Sequence, residues 1–412
     1  MRYAIVAKPV RAGDQPGGRT MNQGGAGRSL SALGSFYYVY FGLIGIVTSY
    51  FPLYLSSEGF TEQKIGFLIG AISIAKLVAP SIWGALADRF GVRHRLIQAG
   101  LGLAALSLLL LTFANGFMMT LGLIGCFSVF WTGILGVIES LTLDRLGQNQ
   151  SRYGRIRACG SIGYVSAILL AGWWLQYHEP GSIAWILVAM GVVVFLLAFA
   201  IKDAPNFTEQ PPLRTGFWKS VWQSPECWLF LLLSMLIHGA FAPYYAFFSL
   251  YSQQLGYSTF ETSTFWTLGV LLEIGVFLLL PWLYPKLGRF WLALIALSVM
   301  TLRWILTPLA GDQYWLQLAV QGLHALNYAP LHCAMVFWAQ AIFARYPAQG
   351  QSLYNGFAHG IGGFMGAYLA GIIWQASQPA AIFWFAAVLS GLGGLVLCVA
   401  QGIRAHRLAH SL

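Results

Sequence analysis

Charge is what this 412-residue chain has least of: Asp, Glu, Lys and Arg make up 9% of it, against about a quarter in soluble domains. With 58% hydrophobic residues and a mean hydropathy of +0.66, there is too little polar surface to clothe one soluble core, so lipid must solvate much of the chain. Also missing are a G-x-x-x-x-G-K-[ST] phosphate loop, an H-E-x-x-H zinc pair and a G-x-S-x-G elbow, which argues against nucleotide-driven or hydrolytic chemistry. No cofactor and no metal is expected, and the chain is not expected to be an enzyme. The five cysteines (Cys126, Cys159, Cys227, Cys333, Cys398) all lie in apolar stretches without metal-type spacing and are read as small packing residues. Residues 1–30 are polar, glycine-rich and basic with no apolar h-region, so they do not form a cleavable signal peptide; Met21 is a second candidate start.

What is present is a series of twelve apolar runs, at 31–55, 64–87, 94–113, 117–143, 154–177, 182–201, 226–253, 261–285, 290–310, 313–343, 351–376 and 379–403. Each is near the ~20 residues that a spanning helix requires. Basic residues concentrate on alternate loops: Arg89, Arg93 and Arg95; Arg145, Arg152, Arg155 and Arg157; Lys202, Arg214 and Lys219; Lys286 and Arg289; Arg345; Arg404 and Arg407. The other side carries only Lys64. The net charge of +10 and pI near 9.4 are therefore a topology signal and not a nucleic-acid patch. They predict a multi-pass protein of the cell (inner) membrane with both termini in the cytoplasm. The proline-rich segment with Pro205, Pro211, Pro212 and Pro225 reads as a linker. The expected organisation is a cytoplasmic tail 1–30, a six-helix half 31–201, a linker 202–225, a second half 226–403 and a tail 404–412. Gly163 and Gly172 of the fifth run correspond to Gly362 and Gly371 of the eleventh, a weak internal repeat that predicts close helix packing.

Between the second and third runs stands Gly84-Ala-Leu-Ala-Asp88-Arg89-Phe-Gly91-Val-Arg93. Gly84 is expected to let two helices approach, Gly91 to supply the turn, Asp88 to face a helix N-terminus, and the arginines to face water. The stretch resembles the G-x-x-x-D-R-x-G-x-R loop signature of the major facilitator superfamily. That resemblance implies an all-α membrane protein of twelve transmembrane helices in two six-helix halves, with this loop as hinge and gate.

Ionisable residues inside the runs are few, and each costs about 2.5–3.5 kcal/mol on insertion scales unless it is paired or wet. They are Lys76, Glu139, Glu273 and Arg303, with Arg157 just inside its helix, and His238, His324, His332 and His359. Counting ~1.5 Å per residue puts Glu273 and Arg303 near mid-bilayer, where they can pair across a cavity, with His324 at similar depth and His332 on nearly the same face. Such a group can exchange a proton when the arginine changes partners, or it can be a static buried pair. Glu139 and Arg157 are placed to pair near the cytoplasmic end. Lys76 has no in-helix partner; three cations against two carboxylates leave one positive charge over, which favours an anionic substrate unless Lys76 only snorkels or packs. His238 and His359 are read as hydrogen-bonded packing residues. Tyr244 and Tyr245 follow Pro243 in mid-helix, where a break lines cavities, and with Tyr328 they suggest aromatic walls.

Ala-Pro-Tyr244-Tyr245-Ala-Phe, Leu-Gly-Val-Leu-Leu-Glu273-Ile, Leu-Arg303-Trp304, Gln321-Gly-Leu-His324 with His332, and Arg157-Ala-Cys-Gly160-Ser161-Ile-Gly resemble the phenylpropionate permease family, relatives of the lactose permease-type proton symporters. The resemblance implies a proton-coupled importer of a small organic acid such as a phenylpropanoate, with coupling and substrate groups carried onto Glu139, Arg157, Glu273, Arg303 and His324. Phe241 stands where the phenylpropionate permeases carry a histidine, and Asn327 where the lactose permease-type carriers have an acidic residue. The expected partners are a small-molecule substrate, protons and the lipid bilayer, with no nucleic acid, and the expected working unit is a monomer. A sugar or nucleoside symporter, a facilitator, a drug-efflux carrier and a ligand-binding membrane sensor stay open as alternatives. The fifth run lacks the glycine-proline kink of many antiporters, which favours import.

Overall fold

The computed structural model describes residues 23–90, 92–146, 152–201 and 216–409. The expected start at Met21, the turn glycine Gly91, the side chain of Asp88, and Lys202 and Arg214 of the linker lie outside the described residues. Within them the chain is helical, as it must be where lipid offers no partner to backbone N–H and C=O groups. The helices are α1 (Gln23–Ser49), α2 (Phe51–Ser57), α3 (Glu62–Phe90), α4 (Arg93–Leu111), α5 (Phe117–Leu146), α6 (Tyr153–Trp174), α7 (Ser182–Ala198), α8 (Phe217–Trp222), α9 (Pro225–Gln254), α10 (Thr259–Ala310), α11 (Tyr314–Gly322), α12 (His324–Ile342), α13 (Pro347–Asn355), a π-helical segment (Gly356–Gly362), α14 (Gly363–Ala376) and α15 (Ala381–Ala409).

Nine of these stretches, among the described residues, are long and apolar enough to cross a bilayer, and three local details supply the other crossings. Helix α7 is apolar but has only 17 residues. Helix α10 has 52 residues, about 78 Å if it were straight and far more than one bilayer. It folds back at Gly288, whose φ of 68° is open to a residue without Cβ. The Tyr257 hydroxyl, just before its start, donates to the Gly311 carbonyl just past its end at 2.9 Å, so its two arms run antiparallel. The expected turn around Lys286–Arg289 is therefore made by one residue. The third is the pair α11 and α12, one crossing interrupted at Leu323, where the ladder tightens to i→i+3 bonds (Leu323 N–H to the Val320 carbonyl, 3.2 Å). The first crossing likewise breaks at Tyr50, and α9 begins on Ser224, whose hydroxyl accepts from the Cys227 N–H, with Pro225 following it.

The glycine repeat shows how the helices interlock. A Cβ on Gly163 of α6 would collide with the Tyr38 carbonyl of α1, and one on Gly362 with the Met235 carbonyl of α9. A Cβ on Gly172 would meet Ser263 and the Thr259 carbonyl of α10, and one on Gly371 the Glu62 carbonyl of α3. The fifth crossing thus stands to the first and eighth as the eleventh stands to the seventh and second. Tyr50 fastens the same end, its hydroxyl reaching the Ile168 carbonyl at 3.2 Å and the Thr259 carbonyl at 3.3 Å, while the Thr259 hydroxyl donates to the Gly172 carbonyl at 2.7 Å. The bundle is shut at this end. Outer faces present Leu278, Trp282, Leu309, Trp185 and Trp315, apolar surface that only lipid can cover.

Gly172→Leu is expected to hold the Thr259 end apart. The 1–3 kcal/mol typical of overpacking should lower initial uptake rates by about tenfold. Gly136→Ala, at a position with open space around it, should leave them within about twofold.

Candidate functional site

The opposite end carries the Asp88 loop. Nothing among the described residues comes within 4 Å of a Cβ built on Gly84, so the close helix approach expected there is not seen among them. Arg89 is exposed. Arg93 does not face water as expected: it is buried and ion-paired with Asp144, binding α4 to α5. A carboxylate 51 positions away offers it a stronger partner than solvent does.

At mid-depth, α9, both arms of α10 and α12 converge on Arg303. This guanidinium is wholly buried. It donates through Nη1 to His324 Nδ1 at 3.0 Å and through Nη2 to Gln321 Oε1 at 2.6 Å. Its carbon lies 4.3 Å from the Tyr244 ring centroid and 4.4 Å from that of Trp304, so two aromatic faces replace part of its hydration. On the other side of the imidazole, His324 Nε2 lies 3.4 Å from Glu273 Oε2. The expected direct contact of Glu273 with Arg303 is replaced by a bridge in which His324 stands between them. The reason is azimuth: depth counting puts the three groups on one level, but the tightened turn at Leu323 carries His324 inward between the arms of α10.

Chemistry fixes the tautomer. A guanidinium has only donors, so His324 Nδ1 must accept and the ring proton sits on Nε2, aimed at the carboxylate. The result is a linear arrangement of guanidinium, neutral imidazole and carboxylate. Glu273 is the member that keeps access, with 16% of its side chain exposed. Adding a proton to Glu273 leaves His324 Nε2–H an acceptor in the carbonyl oxygen but removes the negative charge that balances Arg303.

Aromatic rings pack around this relay. The Tyr244 ring stands 4.3 Å from Trp266, and Tyr245 stacks on Trp266 at 6.0 Å. Both tyrosines take their positions from α9 beyond Pro243, which sits inside that helix. Tyr328 stacks between His324 and His332, at 5.2 and 5.9 Å with interplanar angles of 26° and 6°, as the i, i+4, i+8 spacing on α12 requires. Tyr164 of α6 comes to this group from the other half of the chain, within electrostatic reach of Tyr244, Glu273 and Tyr328. Sequence reasoning passed over Tyr164, although it lies seven residues, two turns, beyond Arg157. Gln321, one turn before His324, was quoted within a resembling stretch but given no role of its own. Each shares a face with a residue already singled out, which is the signal that would have found it.

Nearer the Asp88 end, Arg157 lays its guanidinium over the Phe41 ring at 3.9 Å. The groups acting on Glu139 are Arg157 and the Tyr153 hydroxyl. Lys76 does not stand alone. It lies within electrostatic reach of His238 and His359, whose rings are 4.1 Å apart. Among the described residues no cluster with metal-binding composition occurs.

The profile of the MFS_1 like family matches residues 30–385. A protein of Escherichia coli (strain K12) described as a probable 3-phenylpropionic acid transporter is 28% identical over 358 residues, 82% of this chain and 92% of that protein. The maltose permease of Geobacillus stearothermophilus is 24% identical over 368 residues, 88% of this chain and 92% of its own length. Among solved structures, the nucleoside transporter NupG superposes with a TM-score of 0.78 at 15% identity, covering 90% of this chain and 99% of that one. A bacterial homologue of the human lysosomal transporter Spinster, in an inward-facing and unoccupied conformation, gives 0.71 at 14% identity over 92% of this chain and 96% of the other. At these identities the solved structures speak for the fold.

Proposed function

Because the chain belongs to the MFS_1 like family, and is thus a multi-pass membrane transporter of the major facilitator fold and not an enzyme, we propose that it is a proton-coupled symporter importing a small organic acid, an aromatic carboxylate such as 3-phenylpropionate. The observation that carries this reading is the buried relay of Arg303, His324 and Glu273, whose one accessible member is a carboxylate. Glu273 takes a proton while the chamber faces outward. His324 Nε2–H then loses its anionic acceptor, and the uncompensated charge of Arg303, still held by His324 and Gln321, raises the positive potential that favours an anionic substrate. Release of the proton on the other side restores the acceptor and weakens the substrate's hold.

The alternation of basic loops supports a topology with the Asp88 end and both termini on the cytoplasmic side of an inner membrane. On that reading the present conformation, shut at the Thr259 end, opens inward, and alternation between two such states moves the cargo. All members of the relay come from one chain, which supports a monomer as the working unit. The cargo assignment rests on the surplus of cationic over acidic groups in the chamber, on the aromatic walls and on the probable 3-phenylpropionic acid transporter among the relatives. A neutral cargo, a sugar or nucleoside, is the second reading. Its support is the pair of buried amides Asn327 and Gln317, which have no hydrogen-bond partner among the described residues and suit hydroxyl-rich ligands.

Proteoliposomes with an imposed pH gradient, offered a panel of aromatic carboxylates, sugars and nucleosides, test the assignment. Carboxylates should accumulate with the external medium acidic, and a proton ionophore should abolish the accumulation. Accumulation of sugars or nucleosides without carboxylate competition would reject the anionic cargo. Accumulation that withstands the ionophore would reject proton coupling.

A further inference from the structure

The relay accounts for Arg303, His324 and Glu273 but leaves a second basic cluster unused. Lys76 is the midpoint of α3, with about 21 Å of helix on either side, more than its stem can span by snorkelling. It has no carboxylate partner among the described residues. It lies on the inside of the bundle, since its charge acts on both His238 and His359. Its neighbour Leu77 packs against the positions of Gly356 and Gly360, where an added Cβ would touch it, so α3 and the π segment meet at this level. In that segment the wider ladder places His359 where it meets His238, ring to ring at 4.1 Å.

The hydrogen bonds of this cluster are as telling as its charge. His238 Nδ1 lies 3.0 Å from the Ser234 carbonyl oxygen and must donate to it, which leaves Nε2 as an acceptor when the ring is neutral. His359 has no hydrogen-bond partner among the described residues. Whereas Arg303 is wholly buried, Lys76 is exposed and His238, His332 and His359 are partly so, so packing does not seal them off. An ammonium without a counter-charge and an imidazole N–H without an acceptor, on neighbouring helices inside the bundle, are the complement of a carboxylate.

We infer that Lys76 and His359, with His238 orienting them, form a carboxylate-binding site separate from the Arg303–His324–Glu273 relay, and that the stacked rings of Tyr328 and His332 join the two. Along α12 the spacing from His324 to His332 corresponds to about 12 Å. His332 acts on both His238 and His359, so the ladder ends beside the basic cluster. An aromatic carboxylate lies with its ring against the Tyr328–His332 face and its anionic end on Lys76. The site sets specificity for the charged over the neutral form of the cargo, while the relay supplies the coupling. This inference rests on the reading of the cargo as an organic acid.

The test is equilibrium binding of 3-phenylpropionate, benzoate and 3-phenylpropionamide to the full-length protein in nanodiscs, run beside pH-driven uptake in proteoliposomes. The wild type should prefer the acids to the amide by at least about tenfold, the scale of one charge-assisted contact. Lys76→Met and His359→Ala should each remove most of that preference while leaving amide binding within about threefold. Lys76→Arg should restore it, and the persistence of amide binding shows that the variants fold. Unchanged acid preference in both Lys76→Met and His359→Ala overturns the site while leaving proton-coupled import intact. Lys76-dependent acid binding without pH-driven uptake keeps the site and rejects symport. A wild type that binds neither acid overturns the site and the cargo assignment together.

Discussion

Glu273→Gln is expected to abolish uphill accumulation of substrate while leaving exchange of internal for external substrate within a few-fold of wild type. Glutamine is the isostere of protonated glutamic acid: its carbonyl oxygen can still accept from His324 Nε2–H across the 3.4 Å gap seen for the carboxylate, so the chamber keeps its shape. What it cannot do is release a proton on the inner side. The variant is fixed in the loaded form, in which both faces of the membrane offer the same affinity and a gradient has nothing to act on. Two assays on the same vesicles check it: the plateau of counter-substrate exchange and the accumulation ratio under an inward proton gradient. A variant that still concentrates substrate against a gradient removes Glu273 from the coupling role. Glu273→Asp, one methylene shorter, should fall between, since the carboxylate would titrate but no longer reach the imidazole.

Arg303→Lys is expected to reduce transport by more than about a hundredfold despite conserving the charge. Arg303 holds two partners at once, His324 and Gln321, from two nitrogens of one rigid plane, and lies between the faces of Tyr244 and Trp304. An ammonium is a point charge on a flexible stem that can neither stack flat nor span both acceptors in that geometry. At least one charge-assisted hydrogen bond is lost, and a buried Gln321 oxygen or His324 nitrogen is left without a donor. A loss of about 3 kcal/mol, at the upper end for such bonds, corresponds to the hundredfold. The check is the uptake rate at saturating and subsaturating substrate, with thermal unfolding of the purified variant to separate folding from function. Activity within about threefold of wild type would mean that the fork geometry is unimportant, and the bridging role of His324 would fall with it.

The membrane architecture could be read from the chain because it follows from one-dimensional quantities. Run lengths give the crossings, and Gly288 sits inside the Lys286–Arg289 stretch marked as a turn. Depth was equally accessible: counting residues from the ends of the runs brought Glu273, Arg303 and His324 to one level, where the structure has them. Azimuth was not. The angle at which a side chain leaves a helix depends on every irregularity before it. Two irregularities, the tightened turn at Leu323 and the π segment at Gly356–Gly362, decide that His324 bridges the other two groups and that His359 meets His238. Neither follows from a 3.6-residue period. The same limit explains Arg93, whose partner Asp144 comes from a different crossing. Gly84 has open space around it for the same reason: whether a second helix comes close there is set by tertiary packing and not by the local pattern.

The central claim is that the coupled proton boards Glu273 and is felt by the substrate through His324 and Arg303. Proton movement itself tests this most directly. In a dense suspension of weakly buffered proteoliposomes, adding 3-phenylpropionate at matched pH inside and outside, with the membrane potential clamped, should raise the external pH as protons enter with the substrate. The Glu273→Gln vesicles should show no such rise while exchanging labelled substrate normally. Substrate-driven alkalinisation of wild-type size in the Glu273→Gln vesicles would place the proton elsewhere and contradict the account.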